Sequence, residues 1–306
     1  MRVLVTGASG FIGSNLLERL CNLENIVILA TSRTKGVTSL RDVTLGRLNW
    51  LQLNLTCDYA VQEMYEIFEP THIFHLASSA SGADWTHTHT RDLDSLFTLL
   101  KYCESGTRFI HGSSVVVYGN YLADNPSEHC PCEPTNLYGW SKWAAEKMVQ
   151  LHAKKNGLSY QCLRLIAQTG RHATHGLVCD IVKKLLNKNP TLDLIGQAPG
   201  TSKPIMHVTD TVNALCHFGF GSHEGIVNVS TPDNISVQDV ATIIMDTLQI
   251  SKPIRWIGQT WAGDNMFVKI DTERALQQGW RPKYTNEEAV YYGCMDNFIQ
   301  LTGEIP

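Results

Sequence analysis

No apolar run in this 306-residue sequence approaches the length of a membrane span, so a membrane is not an expected partner. Charge of one sign is also scarce. With 18% charged residues and a formal net charge of −4, nothing electrostatic points to nucleic acid or an anionic surface. Internal repeats, low-complexity tracts and linkers are missing. The first predicted strand begins at residue 2, which leaves no room for a signal peptide, and a cytoplasmic location is the expectation. The nine cysteines are odd in number and scattered, and beside His129-Cys130-Pro131-Cys132 there is no second CxC or CxxC. A metal site needs about four ligands at suitable spacing, so this segment reads as a proline-stiffened loop and no metal is expected. A hydrophobic content of 43% is ordinary for a water-soluble chain long enough to bury a large core.

The densest signal is at the amino terminus. A short run, Val3-Leu4-Val5, gives way after Thr6 to glycines at 7, 10 and 13, and an amphipathic helix follows through Leu16, Leu17 and Leu20. Strand, glycine turn and helix start together make a phosphate-binding device. Gly7 permits the turn, Gly10 lets the backbone approach a pyrophosphate, and Gly13 lets the helix pack on the strand while its free N–H groups face the anion. A dinucleotide is therefore expected against Gly7, Ser9, Gly10, Phe11, Ile12 and Gly13.

Further strands are expected at 26–30, 48–53, 73–76, 109–111 and 160–165. Helices are expected at 93–103 and 141–155, the latter closed by Gly157. Another helix places Tyr59, Val61, Met64, Tyr65 and Phe68 on one face. After residue 165 the pattern loosens into helices at 176–188, 208–218 and 286–302, strands at 192–195 and 225–230, and a cap at Ser236 with Asp239. This alternation implies an α/β fold: a Rossmann-type doubly wound parallel sheet with a smaller, interwoven C-terminal substrate-binding lobe. The dinucleotide-binding domain spans 1–165, with a further strand near 225–230, and 166–306 is mainly the substrate lobe, with a ligand cleft between the two.

A second signal is Tyr138-Gly-Trp-Ser-Lys142, whose phenol and ammonium share one face of a helix start. An ammonium beside a phenol, together with an oxidised nicotinamide, stabilises the phenolate and brings an ordinary pKa near ~10 toward working range. Lys142 can also hold ribose hydroxyls. Upstream, Ser113 and Ser114 leave a strand at the carboxyl edge of the sheet, where a hydroxyl can polarise a substrate carbonyl or simply cap the strand end. At position 31 an NAD enzyme would carry a carboxylate for the ribose hydroxyls, but here Thr31, Ser32, Arg33 and Lys35 follow one another closely. Hydroxyls and a guanidinium suit a 2′-phosphate, so NADP is expected over NAD, with a solvent-facing Arg33 as the alternative.

These motifs resemble an extended short-chain dehydrogenase/reductase of the NAD-dependent epimerase/dehydratase family, whose members act largely on nucleotide-activated sugars. The resemblance runs to about residue 290 and rests on Thr6–Gly13, His75-Leu-Ala77, Ser113-Ser114 before Val117-Tyr-Gly119, and Tyr138-x-x-x-Lys142. It continues through Leu163-Arg164, Met206-His-Val-Thr-Asp210 and Gly279-Trp-Arg-Pro282. It implies catalysis by Ser114, Tyr138 and Lys142, selecting Ser114 over Ser113 by its spacing from Tyr118. It also implies cofactor contacts from Asn54, Leu55, Leu76, Ala77 and Ser78, substrate contacts from Ser79, Ser114, His172 and Lys203, and architectural roles for His207 and Asp210.

Departures from the family pattern narrow the chemistry. The dehydrating branch carries an acid and a base after the active hydroxyl, where this chain has Val115 and Val116; Ala167 and Lys203 replace a frequent Asn and Arg. The leading expectation is NADPH-dependent reduction of a keto group on a nucleotide-linked sugar, a 4-keto-6-deoxyhexose in particular. An NAD-dependent 4-epimerase needs the same three residues, and a non-catalytic dinucleotide sensor is the third reading. Apolar positions Leu96, Phe97, Trp140 and Trp143 suit a homodimer through a four-helix bundle, as the resemblance implies, and suit burial within one chain equally.

Overall fold

The β-branched run forms β1 (Arg2–Thr6), buried from Val3 onward, and the glycine turn delivers the chain into α1 (Phe11–Leu20). A computed structural model of the chain describes residues 1–41, 45–79, 88–258 and 266–306. Next come β2 (Val27–Ser32), β3 (Leu48–Gln52), α2 (Asp58–Phe68), β4 (His72–His75) and α3 (Thr88–Lys101). They are followed by β5 (Arg108–Ser114), short 3-10 turns at Val115–Tyr118 and Asn120–Ala123, α4 (Leu137–Asn156) and β6 (Ser159–Leu165). The remainder is β7 (Ala167–Thr169), α5 (Leu177–Leu186), β8 (Leu192–Leu194), β9 (Ser202–Lys203), β10 (Ile205–His207), α6 (Val208–Phe220), β11 (Gly225–Val229), β12 (Ile235–Ser236), α7 (Val237–Leu248), β13 (Ile254–Trp256), α8 (Glu273–Gln277) and α9 (Asn286–Thr302).

Seven strands make one parallel sheet in the order β11-β6-β5-β4-β1-β2-β3. The chain winds outward from β1 to β3, returns to β4 beside β1, and winds outward again to β11. The reversal between β1 and β4 is a switch point, and in such sheets the ligand crevice opens at the carboxyl ends of the strands on either side of it. This is the expected Rossmann-like architecture, a parallel sheet with its helical crossovers.

The chain divides into two compact units. The first comprises 1–117, 134–164 and 214–227; the second comprises 118–133, 165–213 and 228–306. In the first, Leu4, Leu29, Phe68, Leu99, Phe109 and Val149 build the core. In the second, Val178, Val182, Leu185, Ile244, Val290 and Cys294 bring α5, α7 and α9 together. The second unit also holds three two-stranded ribbons, β7 with β10, β9 with β12, and β8 with β13.

Several local expectations need correction. Tyr59 is 68% exposed while Val61, Met64, Tyr65 and Phe68 are buried, because two residues of helix rotate it about 200° away from Val61. Leu96 is buried in the monomer core and offers nothing to a partner. Helices α3 and α4 begin at Thr88 and Leu137, ahead of the expected 93 and 141; the first turn of α3 is polar and hides the apolar period, while Gly139 interrupts the helical pattern at the start of α4. Asn136 caps α4 by accepting from the Gly139 N–H.

Candidate active site

The turn between β1 and α1 is glycine-dependent by geometry. Gly7 has φ of +66°, and a Cβ there would lie 2.7 Å from the Ala77 nitrogen and the Leu76 carbonyl. At Gly13 a Cβ would come within 2.2 Å of the Gly7 oxygen. Gly10 is the N-cap of α1 and no side chain caps the helix, so its first N–H groups and the positive end of its dipole are open to an anion. Ser9 and Gly10 are exposed beside them, and Phe11 and Ile12 partly so. A pyrophosphate fits this cradle.

At the end of β2 the two hydroxyls turn toward their own backbone. Thr31 is buried and donates to the Val5 oxygen at 3.5 Å; Ser32 accepts from the N–H groups of Thr34 at 3.1 Å and Lys35 at 3.0 Å. Arg33 is exposed, and the Lys35 ammonium lies 3.9 Å over the Trp50 ring. Two cations and no carboxylate thus occupy this strand end. Beyond β3, Asn54 is exposed with its amide oxygen accepting from the Thr56 N–H and hydroxyl, and Leu55 is buried.

Ser114 closes β5, Tyr138 lies in the first turn of α4, and Lys142 follows one turn later, all within the first unit. The Ser114 and Tyr138 hydroxyls are hydrogen-bonded to each other. The buried Lys142 ammonium donates to the Gly112 oxygen at 2.8 Å and stands 5.7 Å from the Tyr138 ring centre. Burial pushes the Tyr138 phenol above its ordinary pKa, the Ser114 hydrogen bond pulls it down, and the Asp92 carboxylate raises it again. In the protein alone the phenol therefore shifts upward, and the expected lowering requires the oxidised nicotinamide as well as Lys142. Tyr138 is partly buried, and the Lys142 ammonium donates to a backbone carbonyl. Burial likewise lowers Lys142, to about 8, against the opposing carboxylates of Asp92 and Glu146.

The two serines that end β5 engage different residues of the same helix, α4. Ser114 meets Tyr138, while Ser113 donates to the Glu146 carboxylate at 2.6 Å. Glu146 is fully buried and takes two bonds from Arg164, at 2.9 and 2.7 Å. Behind Lys142, His75 shares a hydrogen with the Thr6 hydroxyl at 2.8 Å and stacks on His111 at 5.6 Å. His89 on α3 lies with its ring 6.0 Å from that of Tyr138, and its buried Nδ1 has no hydrogen-bond partner among the described residues.

After β4, Leu76 and Ala77 are tied to Thr6 through its oxygen and hydroxyl, at 3.2 and 3.3 Å. Ser78 and Ser79 are bonded to Asp92. Beyond Ser79, residues 80–87 lie outside the described residues. His172 and Lys203 belong to the second unit: His172 donates its N–H to Gln300 at 2.8 Å, and Lys203 lies on β9. Asp210 accepts from the N–H groups of Lys283 and Tyr284, both at 3.0 Å, an architectural use. Among the described residues no cluster of His, Cys, Asp or Glu could hold a metal ion, and no helix is long and apolar enough to cross a membrane.

Sequence reasoning overlooked Asp92, His89, His111 and Glu146. Glu146 carried a usable signal, four residues beyond Lys142 and so on the same helical face. Asp92 and His89 were hidden by the late start assigned to α3.

The model of the NAD dependent epimerase/dehydratase family matches residues 3–229. The chain belongs to this family. It is accordingly an NAD(P)-dependent enzyme of the extended short-chain dehydrogenase/reductase type. UDP-glucuronic acid decarboxylase 6 of Arabidopsis thaliana is 25% identical, the match covering 95% of this chain and 87% of that protein. Among solved structures, UDP-glucose 4-epimerase of Thermus thermophilus in complex with NAD superposes with a TM-score of 0.82 at 23% identity, covering 97% and 99% of the two chains. UDP-glucuronic acid 4-epimerase of Bacillus cereus does so with a TM-score of 0.85 at 19% identity, covering 98% and 100%.

Proposed function

We propose that this family member exchanges hydride with one carbon of a nucleotide-activated sugar, foremost as NADPH-dependent reduction of a keto group on a 4-keto-6-deoxyhexose. The observation that carries the chemistry is the set Ser114, Tyr138 and Lys142 followed by Val115 and Val116. Two bonded hydroxyls and an ammonium serve alcohol–ketone exchange, while the absence of a carboxylate disfavours loss of water. A nicotinamide dinucleotide supplies the hydride when bound at the glycine turn. Tyr138 gives its proton to the sugar oxygen, Ser114 holds that oxygen by hydrogen bonding, and Lys142 holds the ribose hydroxyls. Leu76, Ala77 and Ser78 flank the dinucleotide, and Asn54 and Leu55 its adenine. Arg33 and Lys35, with no acid at position 31, favour the 2′-phosphate of NADP. Ser79 and His172 contact the sugar, and Lys203 supplies a point charge to its diphosphate. The relatives named for UDP-linked sugars support the substrate class.

A second reading, an NAD-dependent 4-epimerase, is favoured by the likeness to a UDP-glucose 4-epimerase solved with NAD. One pair of measurements separates them: the nucleotide released on denaturing the purified protein, and NADPH consumption with 4-keto nucleotide sugars. The reductase reading expects little retained cofactor and NADPH turnover that falls about 10²–10⁴-fold in Tyr138→Phe. Released NAD with no NADPH turnover moves the conclusion to the epimerase. Failure to bind either dinucleotide sinks both.

The same reading takes a second copy of this chain as partner. On α3 and α4, Phe97 is 58% exposed, Trp140 47% and Leu151 69%, with Leu137 exposed beside them. Residues 137, 140, 144, 148 and 151 share one face of α4 at helical spacing. Apolar side chains of this size, gathered on adjoining helices, favour burial between copies.

A further inference from the structure

Asp92 is half-buried on α3 and has no part in the hydride chemistry above. Its carboxylate accepts from the Ser79 N–H at 2.7 Å and the Ser79 hydroxyl at 3.2 Å, with the Ser78 hydroxyl at 3.4 Å. Asp92 also lines a small cavity together with Lys142, His75, His111, Ser78 and Ser141. A carboxylate from α3 and an ammonium from α4 therefore border the same small, partly open and largely apolar space.

We propose that Asp92 is a positioning residue with two tasks: its oxygens fix the Ser78–Ser79 turn after β4, and its charge keeps the buried Lys142 ammonium protonated. The idea rests on the reading of Lys142 as the group that holds the ribose hydroxyls. Among the described residues, each charged or titratable neighbour of Lys142 bears on the second task. Glu146, on the same helix, is committed to Arg164 and Ser113. His75 on β4 and His111 on β5 are driven neutral by burial and by Lys142 itself, so they add no charge. Tyr138, shifted upward, is a neutral phenol at working pH. Asp92 is therefore the larger of the two carboxylate influences, ahead of Glu146, that oppose the cost of burying the ammonium. Without it Lys142 would be an amine over much of the neutral range, still able to donate to the Gly112 carbonyl but lacking the charge that steadies a phenolate.

The test needs neither dinucleotide nor sugar. Protein labelled with carbon-13 at the lysine ε position is titrated by NMR, and the Lys142 signal is identified by its loss in Lys142→Met. The wild-type signal is expected to titrate at about 8. Asp92→Asn keeps an oxygen for Ser79 but removes the charge, and should lower the midpoint by on the order of one pH unit. Asp92→Glu should restore it toward the wild-type value. Ser79→Ala should leave it in place. An unchanged midpoint in Asp92→Asn, or an equal shift in Ser79→Ala, overturns the proposal. Asp92→Thr is read in the same way should the Asn variant not fold. A chain that passes this titration yet binds neither NAD(H) nor NADP(H) keeps the coupling of Asp92 to Lys142 and loses the hydride function, so the two failures are distinct.

Discussion

His75 and His111 are both buried, stacked against one another, and close to the Lys142 charge. Burial lowers His75 from 6.5 to about 3, and lowers His111 in the same direction. Between 6.5 and about 3 the unfolded chain binds protons that the folded chain refuses, so stability is full above that window and declines as pH falls through it. Urea midpoints measured across the window should show this decline, and His111→Phe should make it shallower. An identical slope in the variant would refute the assignment. His75 was legible in the sequence as part of a motif, but its pairing with His111 depends on the β4–β5 register, which places the two side by side. Tyr138 and Lys142 were legible because local spacing puts them on one helix face, whereas spacing alone left Ser113 and Ser114 together at the strand end and the family resemblance chose between them. The links to Asp92 and His89 come from a helix about 50 residues earlier in the chain, and sequence spacing holds no trace of such packing.

Among the elements, the β1–α1 turn was the most readable because everything that defines it lies within thirteen consecutive residues. Its tolerance is correspondingly narrow. In Gly13→Ala the new methyl would sit 2.2 Å from the Gly7 oxygen, a backbone atom that cannot swing aside. The helix must then back away from β1, at an overpacking cost of about 1–3 kcal/mol and with loss of the anion cradle. A lower melting temperature together with lost NAD(P) binding is the expected outcome; a variant that binds as the parent does would show the turn to be dispensable. The short ribbons of the second unit were less readable. Strands such as β9 and β12, of two residues each, are too brief to establish an alternating pattern and exist only through their pairing.

For the whole molecule, the doubly wound sheet followed from the rhythm of strands and helices, whereas exposure of the α3 and α4 faces needed the folded chain. Leu96 and Phe97 are adjacent and similarly apolar, yet one is in the core and the other is 58% exposed. If the exposed face binds a second copy, Trp140→Glu combined with Leu151→Glu should yield monomers by sedimentation equilibrium while leaving the circular dichroism spectrum intact. A wild-type chain that sediments as a monomer at every concentration removes that partner. Within the first unit, the contact of Ser113, Glu146 and Arg164 joins β5, α4 and β6 through one carboxylate sealed from water. Evolution can hardly alter such a group singly: a lineage that loses Arg164 strands a negative charge costing about 3–5 kcal/mol, so descendants should replace arginine and glutamate together, leaving a covarying pair in their genealogy.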